Sequence, residues 1–137
     1  MAPTRLFVTG GTGVLGCALR EAVAGDDGYV LVAPGHAELD LYDPRAVRAA
    51  VAGIDADAVL HLATRIPRPD AVGDPAAWHE NDRLRAEASR VLADAALEAG
   101  VATYVQPTYS TPYKSPATCG VVRRSDPSYL CPIRSRV

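Results

Sequence analysis

Residues 5–16 read Arg5-Leu6-Phe7-Val8-Thr9-Gly10-Gly11-Thr12-Gly13-Val14-Leu15-Gly16, and this stretch decides the fold. Arg5 to Thr9 is a short apolar run ending at a glycine cluster, the mark of a buried strand. From Val14 to Ala24, the residues Leu15, Ala18, Leu19, Ala22 and Val23 recur at helical spacing, with Gly25 where a C-terminal cap belongs. A strand, a glycine turn and a helix in direct succession open a βαβ unit. Gly11, Gly13 and Gly16 form a G-x-G-x-x-G string, which is weak evidence alone and specific in this setting. Glycines permit the tight turn and let an anion approach the backbone with no Cβ in the way. The free N–H groups and the positive end of the helix then hold the anion, while Gly16 lets the helix pack closely on the sheet. The turn predicts a dinucleotide pyrophosphate site; the plain alternative is a glycine-rich turn with no ligand.

Outward from this unit the pattern repeats. Tyr29 to Ala33 is a second strand, stopped by Pro34-Gly35. Asp43-Pro44 starts a helix, because the aspartate can accept from first-turn N–H groups and proline at N1 loses no bond the helix needs. Ala46, Val47, Ala50 and Val51 form its apolar face, and Gly53 is expected to end it. Asp57 to Leu62 is a third strand. Asp74-Pro75 then opens one long helix to Ala99, with Gly100 behind it. Trp78, Leu84, Ala88, Val91, Leu92 and Ala95 share one stripe of that helix. Ala102 to Gln106 is a fourth strand. The order β-α-β-α-β-α-β with near-continuous apolar strands predicts an α/β fold: a Rossmann-like, doubly wound parallel sheet with helices on both faces.

The whole chain has 137 residues, enough for one ordinary domain. At 48% hydrophobic and 22% charged it matches globular composition, which argues against wholesale disorder. No run approaches 18 apolar residues, so no membrane span is expected, and Met1-Ala2-Pro3-Thr4 does not resemble a signal peptide. Cys17, Cys119 and Cys131 lack metal-ligand spacing, and Cys17 reads as a small core residue. These features lead us to expect a soluble cytoplasmic protein, and the net charge of −2 gives no sign of a nucleic-acid partner.

The average conceals a break at residue 106. Of 24 alanines, 23 precede it, whereas the last 31 residues hold five of the eleven prolines and the only lysine, Lys114. Residues 1–106 carry 9 basic and 15 acidic side chains; residues 107–137 carry 5 and 1. We therefore expect a dinucleotide-binding half-domain over 1–106 and an irregular Pro/Ser/Arg-rich tail over 107–137. The shift in alanine use suggests that the tail is read from a displaced frame, the fold being truncated there; a native flexible tail is the plainer reading. A truncated sheet would leave the fourth strand as an edge and expose apolar helix surface, so self-association is expected.

The end of the second strand bears on the choice of cofactor. An acidic residue about 20 positions beyond the glycine motif favours NAD, and a nearby arginine favours NADP. Ala33-Pro34-Gly35-His36 offers neither, and Glu38 and Asp40 come later in a loop. NAD and NADP both stay open, and His36 is as readily a plain surface residue as a phosphate contact.

Thr9-Gly10-x-x-Gly13-x-x-Gly16, with Asp57-Ala-Val-Leu-His61-Leu62-Ala63, resembles the extended short-chain dehydrogenase/reductases, the NAD-dependent epimerase/dehydratase family. Asn81, the helix end from Arg90 to Gly100, and Tyr104-Val105 extend the resemblance over about residues 4–106. Glu38-Leu-Asp40-Leu41 before an Asp-Pro helix is similar to the dTDP-4-dehydrorhamnose reductase branch. The resemblance implies hydride transfer on a sugar nucleotide or a related carbonyl or alcohol. It places Gly10, Gly11, Thr12, Gly13, Val14, Leu15 and Gly16 around the pyrophosphate, and Asp40 and Leu41 at adenine. Leu62, Ala63 and Thr64 would line the ribose and nicotinamide side, and Asn81 would support the site from its helix. Asn81 also shares the apolar stripe of Trp78 and Leu84, where a buried amide needs partners; a partly exposed first-turn residue is the plainer reading. His61 reads more readily as a satisfied core histidine than as a ligand.

Such relatives use a tyrosine, a lysine four residues on and a Ser/Thr after the fourth strand. The i, i+4 spacing puts the lysine charge beside the tyrosine and lowers its pKa. Four residues before Lys114 stands Ser110, Tyr109 and Tyr113 are out of register, and Pro112 and Pro116 oppose a helix. Thr108, and more weakly Ser110, is left as a lone candidate for the Ser/Thr position. The leading expectation is therefore an NAD(P)-binding relative impaired in catalysis. Its competitors are a non-catalytic dinucleotide-binding module or redox sensor and, on the basic tail alone, a nucleic-acid arm.

Overall fold

The computed structural model describes residues 1–107 and the backbone of residues 120–123. Strand β1 (Thr4–Thr9) leads through the glycine turn into helix α1 (Val14–Ala22) and strand β2 (Tyr29–Val32). Helix α2 (Pro44–Ile54) and strand β3 (Ala58–His61) follow. The next helical segment is a succession of turns. It begins as a 3₁₀ turn (Pro75–Trp78) and continues as α3 (His79–Arg83), a π turn (Leu84–Ala88) and α4 (Ser89–Glu98). Strands β4 (Thr103–Gln106) and β5 (Gly120–Arg123) complete the described elements. The strand order is β2-β1-β3-β4-β5, with the first four parallel and β5 antiparallel to β4. The expected parallel, doubly wound half-sheet is therefore present.

Alternation along the strands divides the core in two. Phe7 and Val59 point to one face and pack with Val47 and Val51 of α2 and with Leu92, Ala95 and Ala96 of α4. Leu6, Val8 and Ala58 point to the other, against Leu19 of α1. Each fully buried leucine or valine here contributes roughly 1.5–3 kcal/mol. The α1 face is the thinner one. Leu15, Ala18 and Ala22 of the expected apolar stripe stay exposed, and the only buried residue of α1 is Gly16.

Four expectations are corrected. Gly53 does not end α2: the helix runs to Ile54 and closes on Asp55, which takes the left-handed conformation at φ 54°. Aspartate tolerates that region because its short polar side chain can bond locally. Cys17 is exposed rather than in the core, since α1 meets the sheet through Gly16 and turns the next residue outward. The single long helix is interrupted by its 3₁₀ start and π turn. Pro75 at N1 and the Asp74 carboxylate accepting from Ala76 N at 2.9 Å set that start. Finally, β4 is not an edge. Gly120-Val-Val-Arg123 pairs with β4, as an antiparallel neighbour can without a crossover helix.

The caps agree better with the sequence. The Asp43 carboxylate accepts from Arg45 N and Ala46 N at 2.9 and 3.2 Å. Gly100 takes φ 72°, which lets Val101 N reach back to the Ala96 carbonyl at 2.9 Å.

Candidate functional site

The chain leaves β1 for β2 on one side and returns past β1 to β3 on the other. In open α/β sheets, ligands bind outside the carboxyl ends of the strands where the order reverses in this way. Here that point is a cleft of about 960 Å³, at the upper end of the range for ligand sites. Its floor is the glycine turn from Gly10 to Leu15. One wall carries Ala33 and Gly35 after β2 together with Asp40 and Leu41, and the other carries Leu62, Ala63 and Thr64 after β3.

The turn is shaped by what cannot fit in it. Gly10 has φ +73°, and a Cβ there would lie 2.5 Å from Ala63 N and 2.6 Å from Ala63 Cα. Gly16 sits directly under the turn, where a Cβ would overlap the Gly10 carbonyl oxygen. Gly13 N donates to the Gly10 carbonyl at 3.0 Å, and Cys17 N donates to the Gly13 carbonyl at 2.8 Å, which starts α1. No side chain caps that helix at Gly13, so its first N–H groups are available to an anion. The residues present therefore fit a pyrophosphate.

Every expected turn residue from Gly10 to Leu15 lines the cleft, as do Asp40, Leu41, Leu62, Ala63 and Thr64. Gly16 lies behind the turn. Asn81 is also off the cleft surface, and at 3% exposure it is buried, against the partly exposed alternative. Its Oδ1 accepts from Arg65 N at 3.1 Å, which fastens the segment after β3 to the helix. Thr108 lies outside the described residues. His36 lines the cleft while remaining exposed.

His61, 2% exposed, shares a 2.6 Å hydrogen bond between its Nδ1 and Thr9 Oγ1, joining β1 to β3 just below the cleft. Its Nε2 has no well-formed hydrogen bond among the described residues. Burial pulls the imidazole down to about 4; a Leu84 backbone contact acts the other way, and the Arg85 charge adds to the drop. The ring is neutral at pH 7 and acts as a strut. Among the described residues no group of His, Cys, Asp or Glu could hold a metal ion, and no helix is long and apolar enough to cross a membrane.

Three cleft-side residues had no signal in the sequence pattern. Tyr42 lines the cleft with the Arg83 guanidinium 4.0 Å from its ring centroid; burial first, then the Glu80 charge, raises its phenol pKa. Arg85 also lines it and donates from Nη2 to the Pro107 carbonyl at 3.1 Å. Arg20 reaches from α1 to donate from Nε to the Gly11 carbonyl at 3.1 Å. Tyr42 and Arg85 depend on partners distant in sequence, and Arg20 on a turn nine residues before it.

Residues 4–113 match the RmlD substrate binding domain family. The chain belongs to that family. No curated protein matches it significantly. Among solved structures it is similar to a GDP-D-glycero-L-gluco-heptose synthase from Campylobacter jejuni, determined in the presence of NADPH, with TM-score 0.65 and 17% identity over 84% of this chain and 35% of the other. A dTDP-4-dehydrorhamnose reductase from Bacillus anthracis in complex with NADP gives TM-score 0.63 and 22% identity over 74% and 35%. The same enzyme from Yersinia enterocolitica gives 0.55 and 26% over 72% and 33%. The chain thus spans about a third of the length of these relatives.

Proposed function

We propose that these 137 residues form the dinucleotide-binding part of an NAD(P)-dependent sugar-nucleotide reductase or epimerase. The observation that carries this reading is the glycine turn at the switch point. Backbone crowding forbids a Cβ at Gly10 and Gly16, and the turn opens an uncapped helix start onto the cleft. Membership of the RmlD family and the NADPH and NADP present with two similar structures support the choice of ligand.

In this reading the N–H groups opening α1 hold the pyrophosphate, Leu41 and Asp40 border the adenine end, and Leu62 to Thr64 border the nicotinamide end. Asn81 holds that last segment in place through Arg65 N. A bound nicotinamide would supply or accept hydride. The residues here bind and orient it, and the neutral His61 carries no proton to the reaction at pH 7. With no Tyr-x-x-x-Lys pair among the 137 residues, the acid/base step has no candidate pair, so binding without efficient turnover is expected of this chain by itself.

Fluorescence titration with NADH and NADPH tests the binding. Saturable enhancement with either is expected; its absence with both up to millimolar cofactor overturns the proposal. A turnover assay with sugar nucleotides separates binding from catalysis, and robust hydride transfer would refute the expected impairment.

A further inference from the structure

The helical segment between β3 and β4 is wound as a π turn from Leu84 to Ala88. Such turns are uncommon and recur at functional sites. This one carries Arg85, four residues after Asn81 and so one turn along from the anchor of the segment after β3. Arg85 is half-buried, and it lines the cleft together with Pro107, the residue that follows β4. Its Nη2 donates to the Pro107 carbonyl at 3.1 Å, which fixes the guanidinium at the end of β4. Among the described residues its Nε and Nη1 have no hydrogen-bond partner, and no carboxylate lies within ion-pair distance of it.

A guanidinium partly out of water and without a counter-charge is a ready partner for an anion, and its planar fork matches phosphate oxygens. The surroundings favour that sign of ligand. The two carboxylate residues that line the cleft, Asp40 and Glu80, both act on Tyr42, which stands in the wall that follows β2. His61, buried below, is neutral at pH 7, and Arg65 after β3 carries the same charge as Arg85. Position separates this guanidinium from the phosphates of a dinucleotide. Those belong at the glycine turn after β1, and β4 lies two strands away, beyond β3. At about 4.8 Å per strand the separation is roughly 10 Å, and the adenine end, at β2, is one strand farther still. The anion that Arg85 meets is therefore carried by the second reactant, on the far side of the nicotinamide.

We propose that Arg85 is a substrate-binding residue whose guanidinium, oriented by the Pro107 carbonyl, takes the diphosphate of a nucleotide-linked sugar. The inference rests on the dinucleotide reading of the cleft. Neither the glycine motif nor the helix pattern could name Arg85, because its partner stands 22 residues away at the end of another strand.

Isothermal titration of the full 137-residue chain, first with NADH and then, once loaded with it, with dTDP, inorganic pyrophosphate and thymidine, tests it. Loading keeps the glycine turn occupied, so that a second anion reports on the β4 end. The wild-type chain binds dTDP and pyrophosphate, and binds dTDP about tenfold or more tightly than thymidine. Arg85→Ala and Arg85→Gln weaken both diphosphates about tenfold and leave NADH affinity unchanged. Glutamine can still donate to the Pro107 carbonyl, so its loss reports on the charge and not on the shape of the strand end. Arg85→Lys, which keeps the charge without the fork, falls between the two. An Arg85→Gln chain with wild-type dTDP affinity, an equal loss of NADH affinity in that chain, or no diphosphate binding to the NADH-loaded wild type overturns the assignment of Arg85 while the dinucleotide reading stands. No binding of NADH overturns both.

Discussion

Replacing Gly10 with alanine tests the turn most directly, because two independent costs meet at one methyl group. The residue sits at φ +73°, where an L side chain costs roughly 1–2 kcal/mol. The added Cβ would also lie 2.5 Å from Ala63 N and 2.7 Å from the Leu62 carbonyl carbon, and both are backbone that cannot rotate away. Forcing a methylene into such packing costs about 1–3 kcal/mol more. Together these predict a loss of about 2–5 kcal/mol, a large share of the roughly 5–15 kcal/mol of an ordinary domain. Urea unfolding followed by the single tryptophan, Trp78, reads it; with a slope of about 1–3 kcal/mol per M the midpoint should fall by about 1 M or more. Because the methyl pushes apart the floor and one wall of the cleft, NADPH affinity should fall at least about tenfold under conditions where the variant is still folded. Gly53→Ala supplies the contrast. That residue is helical with nothing within 4 Å of an added Cβ, so the change should stabilise by about 0.5–1 kcal/mol. A Gly10→Ala chain with the wild-type midpoint and affinity would refute the crowded turn.

Asn81→Ala removes the acceptor for Arg65 N and should cost about 1–3 kcal/mol of stability while loosening the segment after β3; hydrogen exchange at Arg65 should rise, and unchanged protection would contradict the anchor. His61 predicts a pH dependence. Its folded value of about 4 lies below the ordinary 6.5, so the unfolded chain binds more protons between those values, and the stability held above pH 6.5 is lost as pH falls toward 4. The loss reaches about 3 kcal/mol at most by the linkage arithmetic. In His61→Asn this component should vanish from the difference between pH 7 and pH 4 stabilities, and an identical slope in the variant would sink the idea. Self-association is expected through β2, one of the two terminal strands of the sheet, where Tyr29 and Val30 are exposed. Sedimentation velocity should show species above 14.4 kDa that diminish in Val30→Lys, and a monodisperse monomer in the unmodified chain would refute it.

Local signals explain most of what the sequence disclosed. The βαβ order, the Asp43-Pro44 and Asp74-Pro75 helix starts and the glycine turn each depend on residues within a few positions of one another, so they could be read before any tertiary contact was known. The expectations that failed depended on packing. Gly53 looked like a helix end, but Ile54 packs against the core and draws the helix one residue further. Cys17 looked buried until the narrow contact through Gly16 set the rotation of α1. Strand β5 lay in a segment without periodicity, and the unpaired side of β4 supplied the reason for four residues of strand there.

By itself, then, the sequence determined the fold class, the parallel half-sheet and the glycine turn at its switch point, because chain stiffness, glycine sterics and apolar spacing act over short distances. Only the tertiary structure decided which groups surround that turn. It brought Arg20 over Gly11 and beside Ala33, fastened Arg65 to Asn81 across 16 residues, and buried His61 against Thr9 across 52. The physical reason is that close packing sets these contacts between elements distant along the chain, and no local pattern records where two such elements will meet.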